Sequence, residues 1–162
     1  MLALLKTYLS GCSQRVKLSG DRKSSWAPIP CGVPQGSVLG PLLFSLYTAD
    51  LGRHVTAAKL VVYADDVSLV ASARSAEAAK KQMDLALRQL AQYARRNRIA
   101  PEPTKTQLMV SADHARMEEL RDITCVMGEH KVQPKEVIKV LGVLMDEQFT
   151  WEPHNAAAAK RA

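Results

Sequence analysis

The stretch from Leu60 to Ala71, Leu-Val-Val-Tyr-Ala-Asp-Asp-Val-Ser-Leu-Val-Ala, constrains this chain more than any other, because two adjacent carboxylates interrupt an otherwise apolar run. Val61, Val62, Val67 and Val70 favour a pleated backbone, and apolar runs of this length suit strands covered on both faces. Asp65 and Asp66 have no place in such a core, so the pattern predicts a hairpin with acids at its tip. Asp-Asp is an uncommon connection, since the tightest turns prefer glycine or asparagine where φ is positive. The acids could be a solvated turn or a helix cap. Alternatively, crowded carboxylates repel unless a cation lies between them, and Mg²⁺ is typically held by one or two carboxylates plus substrate phosphates.

A second patterned segment runs Cys31-Gly-Val-Pro-Gln-Gly-Ser-Val-Leu-Gly-Pro-Leu-Leu-Phe-Ser-Leu-Tyr. Pro34 to Ser37 predicts a turn into a helix over 38–50, with Ser37 as N-cap and Pro41 tolerated in or near the first turn. Leu39, Leu42, Leu43, Leu46 and Tyr47 recur at spacings of three and four, which places them on one packed face. The glycines let backbone approach a substrate with no Cβ in the way.

Around these segments the periodicity predicts alternating helices and ribbons. Leu2, Leu5 and Leu9 share a helical face. Gln14 to Leu18 alternates, and a Gly20-Asp21 turn before Ser25 to Ile29 completes a hairpin. Arg15, Lys17, Arg22 and Lys23 on that hairpin, with Trp26 close by, suit a phosphate backbone and a stacked base, although charge on the solvated side of a hairpin is ordinary. Ser75 precedes the clearest helix, 76–98, whose buried stripe is Ala79, Met83, Ala86, Leu87, Leu90 and Tyr93, with Asp84 and Arg88 four apart on the outer side. Arg95, Arg96 and Arg98 suit the helix end. Beyond Pro101 and Pro103, Thr104 to Val110 alternates as a strand. A short helix through Leu120, strands at 123–127 and through Val132 about a Gly128-Glu129 turn, and a strand over 137–145 follow.

The 162 residues have room for one domain with a real core, and 47% hydrophobic content argues against disorder. A formal charge of +6 suits a polyanionic partner and equally a generically basic protein. Cys12, Cys31 and Cys125 form no metal spacing and leave an odd thiol, which favours a reducing, intracellular setting. The apolar N-terminus is too short, and interrupted too soon by Lys6, for a secretory signal or a membrane span, so no membrane partner is expected.

Taken with Tyr63-Ala64-Asp65-Asp66, the Cys31–Tyr47 segment resembles the palm of a reverse transcriptase, and in particular the enzymes of non-LTR retrotransposons. That family's glycine-proline-glutamine-glycine-serine segment is matched by Gly32, Pro34, Gln35, Gly36 and Ser37, and its acidic turn by Tyr63 to Asp66. Lys105-Thr106 match a later lysine-threonine pair. Leu141-Gly142-Val143, with Trp151 and His154, match a leucine-glycine segment ahead of the thumb. Where the family usually has asparagine-proline just before the lysine, this chain has Pro101-Glu102-Pro103-Thr104.

The resemblance implies an α+β fold: over 1–150, a partial polymerase palm, a split β-α-β-β-α-β layer lacking its first strand, and over 151–162 the truncated start of a thumb helix. It implies that Asp65 and Asp66 are catalytic and hold Mg²⁺ for two-metal nucleotidyl transfer, and that Lys105 assists the phosphate. Pro34, Gln35, Gly36, Ser37, Tyr63 and Ala64 would border the substrate. RNA template, DNA primer and deoxynucleoside triphosphates are the implied partners, and the nucleus the implied location. The absent strand would carry a further metal-binding aspartate, so little or no turnover is expected of this chain alone. A nucleic-acid-binding remnant without catalysis and a non-functional relic of a mobile element are the alternatives.

Overall fold

The structure is a computed structural model and describes residues 2–34, 36–113, 116, 117, 120 and 122–161. It is a mixed α+β fold that divides into two compact units, 1–48 and 49–162.

The first unit begins with helix α1, Leu2–Leu9, where the Thr7 hydroxyl donates to the Ala3 carbonyl at 3.0 Å. Strands β1, Ser13–Gln14, and β2, Ala27–Pro28, then pair antiparallel, and the ribbon continues to a Lys17–Lys23 bridge. The expected hairpin therefore forms, with Gly20 at φ +75 in its tip, a conformation glycine adopts without a Cβ penalty. The returning strand carries one extra residue between the two pairings, a bulge, and the Ser24 hydroxyl accepts from the Val16 N–H at 2.9 Å there.

Helix α2 covers Gly40–Tyr47, shorter than the 38–50 expected. Pro41 lacks an N–H and fits only the first turn, which sets the start at Gly40 and makes Leu39 the N-cap in place of Ser37. Ser37 still serves that turn: its hydroxyl donates to the Pro34 carbonyl at 2.7 Å and accepts from the Gly40 N–H at 3.1 Å. At the other end both the N–H and the hydroxyl of Thr48 bond the Phe44 carbonyl, each at 3.0 Å, and close the helix.

The second unit opens with α3, Leu51–His54, followed by the hairpin of β3, Lys59–Tyr63, and β4, Asp66–Val70. Helix α4, Ala76–Arg96, is the long helix expected, capped by the Ser75 hydroxyl, which accepts from the Ala78 N–H at 3.2 Å. Leu51, Val55, Ala58, Ala86 and Tyr93 form the buried core, and Leu60, Leu69, Leu90 and Ile99 pack around it. The Gln89 side-chain oxygen accepts from the Thr56 and Ala57 N–H groups at 3.0 Å each, tying the loop before β3 to α4. Asp84 pairs with Lys80 one turn earlier instead of with Arg88, because Asp84 lies on the half-buried flank of the helix while Arg88 is exposed.

Three expectations change in the remainder. Thr104 to Val110 is not a ladder strand: Pro103–Lys105 is a single 3₁₀ turn, and the Glu102 carboxylate accepts from the N–H and the hydroxyl of Thr104 at 3.2 and 2.8 Å. A proline-set φ and this local cap outcompete the alternating pattern, and Leu108 makes only an isolated parallel bridge to Pro134. Residues 137–145 form two strands, β7, Val137–Val140, and β8, Val143–Asp146, because Leu141 (φ 48) and Gly142 (φ 88) make the positive-φ turn that suits a two-residue hairpin. The acidic hairpin is not covered on both faces, since Val61, Val62, Tyr63, Val67 and Val70 are all exposed.

Strands β5, Cys125–Met127, and β6, His130–Val132, pair about the predicted Gly128-Glu129 turn, and α5, Glu152–Ala159, ends the unit. Of the short helix expected through Leu120, Arg116, Met117 and Leu120 are helical, and the rest lies outside the described residues. Among the described residues every sheet is a two-stranded antiparallel ribbon.

Candidate active site at the acidic hairpin

Register builds the site. Pairing of Leu60 with Leu69, Val62 with Val67 and Tyr63 with Asp66 leaves Ala64-Asp65 as the two-residue connection, so the turn is Ala-Asp and Asp66 is the first residue of β4. Ala64 takes φ 52, a left-handed conformation that costs an L-residue roughly 1–2 kcal/mol. Because side chains alternate along a strand, Asp66 shares a face with Tyr63, Val61 and Ser68, while Leu60 and Leu69 on the other face meet the core. Both carboxylates and the Tyr63 ring are exposed. The chain thus presents two adjacent acids at the free end of a ribbon whose inner face, through Leu60 and Leu69, packs on the core that α4 shares.

The other expected site residues lie on separate elements. Lys105 is exposed and ends the 3₁₀ turn, which packs beside β6 and not in a strand next to the acidic hairpin. Its charge, after the Thr104 hydrogen bonds, helps hold the Glu102 carboxyl below its ordinary value. Pro34, Gly36 and Ser37 lie in the first unit in the turn that leads into α2, where Gly36 adopts φ +80. Gln35 lies outside the described residues.

Two polar clusters had no sequence forecast. The Tyr93 hydroxyl, on a ring only 2% exposed, donates to the Asp50 carboxylate at 2.7 Å and lowers its pKa, and the His54 ring lies 5.2 Å from Tyr93. Asp50 therefore precedes α3 and anchors it to α4. Asp146, at the end of β8, accepts from the N–H and the hydroxyl of Thr150 at 2.9 and 3.0 Å and from the Trp151 N–H at 2.9 Å, and these bonds, the Thr150 N–H foremost, hold its carboxyl low. The one sequence signal for the second cluster is an acid four residues ahead of Thr150, at the start of a helix with Pro153 in its first turn.

For a metal, the hairpin offers two hard oxygen donors. Among the described residues no group of three or more His, Cys, Asp or Glu side chains converges. Two adjacent carboxylates fit an ion of the Mg²⁺ type that takes its remaining ligands from phosphates and water.

The family model for reverse transcriptase (RNA-dependent DNA polymerase) matches residues 2–145. The chain belongs to the reverse transcriptase family. Among curated proteins it is similar to the probable RNA-directed DNA polymerase from transposon BS of Drosophila melanogaster, 33% identical over 98% of this chain and 18% of that protein. It is also 32% identical to the probable RNA-directed DNA polymerase from transposon X-element and 27% identical to the RNA-directed DNA polymerase from mobile element jockey, both of the same fly, each over 93% of the chain. The non-LTR resemblance read from the motifs holds. This reverse transcriptase chain spans less than a fifth of the length of these relatives. No solved structure matches it. Among its described residues no helix is long and apolar enough to cross a membrane.

Proposed function

We propose that this chain supplies the acidic hairpin, and part of the surrounding palm over 1–150, to an RNA-directed DNA polymerase of a non-LTR retrotransposon, with 151–162 starting a thumb. The observation that carries this reading is the presentation of Asp65 and Asp66 together at an exposed hairpin tip, in a chain whose family match extends over nearly its whole length. The substrates would be an RNA template, a DNA primer and deoxynucleoside triphosphates.

Asp65 and Asp66 would hold Mg²⁺, which when bound lowers the pKa of an attacking hydroxyl and stabilises charge on the leaving oxygen. The chain's own groups do the positioning. The core-facing leucines fix the ribbon, the strained Ala64 turn sets the angle between the two acids, and Tyr63 stands beside Asp66 as an exposed ring for a nucleotide to rest against. Gln35, Gly36, Pro34 and Ser37 would shape the nucleotide side, and the Lys105 ammonium would neutralise phosphate charge.

A second reading, nucleic-acid binding without turnover, is favoured by one observation: two acids among the described residues stand without a third ligand. Manganese titration followed by paramagnetic broadening of backbone amides tests the metal assignment independently of activity. Broadening centred on Tyr63 to Val67 and abolished by Asp65→Asn with Asp66→Asn supports it. Broadening elsewhere, or none at millimolar metal, overturns it. Primer extension on poly-rA with oligo-dT and Mg²⁺ separates the two readings, and extension that survives Asp65→Asn removes that residue from the chemistry.

A further inference from the structure

The ribbon around β1 and β2 carries a second constellation, outside the acidic hairpin. Arg15 lies with its guanidinium carbon 4.7 Å from the Trp26 ring centroid, a cation–π stack across the ribbon. Lys17, two residues on and therefore about 6.6 Å further along the same face, stands directly opposite Lys23. One face thus bears three cations and an indole, while Val16 and Leu18 alternate onto the other.

Two features of this face are hard to explain as solvated charge. Like charges directly opposite one another destabilise a ribbon, and within 4.0 Å none of these cations meets an acid among the described residues. Trp26 is also 61% exposed even with the Arg15 guanidinium stacked against its ring. A polyanion relieves the first cost, and a stacked base uses the second.

We infer that this face binds single-stranded nucleic acid, with Arg15, Lys17 and Lys23 on successive phosphates and a base stacked on Trp26. A single strand is specified because a base inside a duplex has no free π-face to offer. The inference rests on and deepens the polymerase reading, naming a strand-binding surface in the unit 1–48, and it makes no use of metal or turnover.

The test uses the full chain bearing Trp151→Phe, which leaves Trp26 as the single tryptophan. Titration with oligo-U and oligo-dT of about 12 nucleotides, within the range one such platform covers, should quench its emission. The slope of log affinity on log salt should be about −2, from three phosphates at roughly 0.7 each. Lys17→Gln with Lys23→Gln should bring the slope to about −0.7. Trp26→Leu, followed with an end-labelled oligonucleotide, should weaken binding about tenfold at an unchanged slope.

Lys23→Glu separates a binding role from a structural one. It replaces a repulsion by an attraction, so the thermal midpoint should hold or rise while affinity falls. Failure of quenching at low salt, an unchanged slope in the double lysine variant, or equal affinity for duplex or for anionic lipid vesicles overturns the inference. Asp65→Asn should leave binding unchanged, so loss of the polymerase reading and loss of this one are distinguishable.

Discussion

Relief of backbone strain at Ala64 should stabilise the unit that carries the acids. Ala64 holds φ 52 in the turn between β3 and β4, and its side chain is exposed, so replacing it removes no buried surface. The left-handed conformation costs an L-residue roughly 1–2 kcal/mol, and glycine escapes that cost. Glycine's larger unfolded freedom offsets about 0.4–1 kcal/mol of the gain. Ala64→Gly should therefore stabilise residues 49–162 by about 0.5–1 kcal/mol, which for a unit of this size raises the thermal midpoint by about 2–4 °C. Ala64→Val should lower it, because a β-branched side chain tolerates positive φ least. Urea unfolding followed by far-ultraviolet dichroism gives the order Gly above Ala above Val. A loss of stability in Ala64→Gly, as at an ordinary strand position, would refute the strained turn and with it the geometry assigned to Asp65 and Asp66.

Three further outcomes are expected. Ser75→Ala removes the hydroxyl that accepts from the Ala78 N–H and should cost about 1 kcal/mol in urea unfolding, with Ser75→Asp retaining most of it. Asp50, Glu102 and Asp146 all have lowered pKa values, so the stability they add is present above their unfolded values near 4 and is lost as pH falls through the lower folded ones. The thermal midpoint should be flat from about pH 6 to 5 and fall below about pH 4, and Asp146→Asn, which cannot ionise, should show a shallower fall. Burial pushes the Cys125 thiol up, so a disulfide reagent should modify the exposed Cys31 in the native chain and reach Cys125 only on unfolding. Equal rates at the two cysteines would contradict the burial of Cys125.

Much of the local structure was legible from residues alone, wherever one strong local signal acted without a competitor. The stripe from Ala79 to Tyr93 with Ser75 before it specified α4, its cap and its buried face, and the valines around Asp65-Asp66 specified a hairpin with acids at its tip. The Gly20 and Gly128 turns likewise located two ribbons. Reading failed where two local signals competed. At 101–110 alternation suggested a strand, but Pro103 and the Glu102 cap determined the turn. At 137–145 a continuous apolar run concealed a hairpin, because Leu141 gives no sign of taking the positive φ that Gly142 advertises.

Composition and motif order alone determined the chemical character of this reverse transcriptase chain: which residues can hold a cation or an anion, and the family to which they belong. Tertiary structure decided which of them meet. It put Asp66 on the outer face with Tyr63, set Lys105 beside β6, bonded Tyr93 to Asp50 across 43 residues, and stacked Arg15 on Trp26. The physical reason is that side-chain type is written position by position, whereas register, face and partner depend on which of several favourable pairings buries the most apolar surface, and that sum extends over residues far apart in the chain.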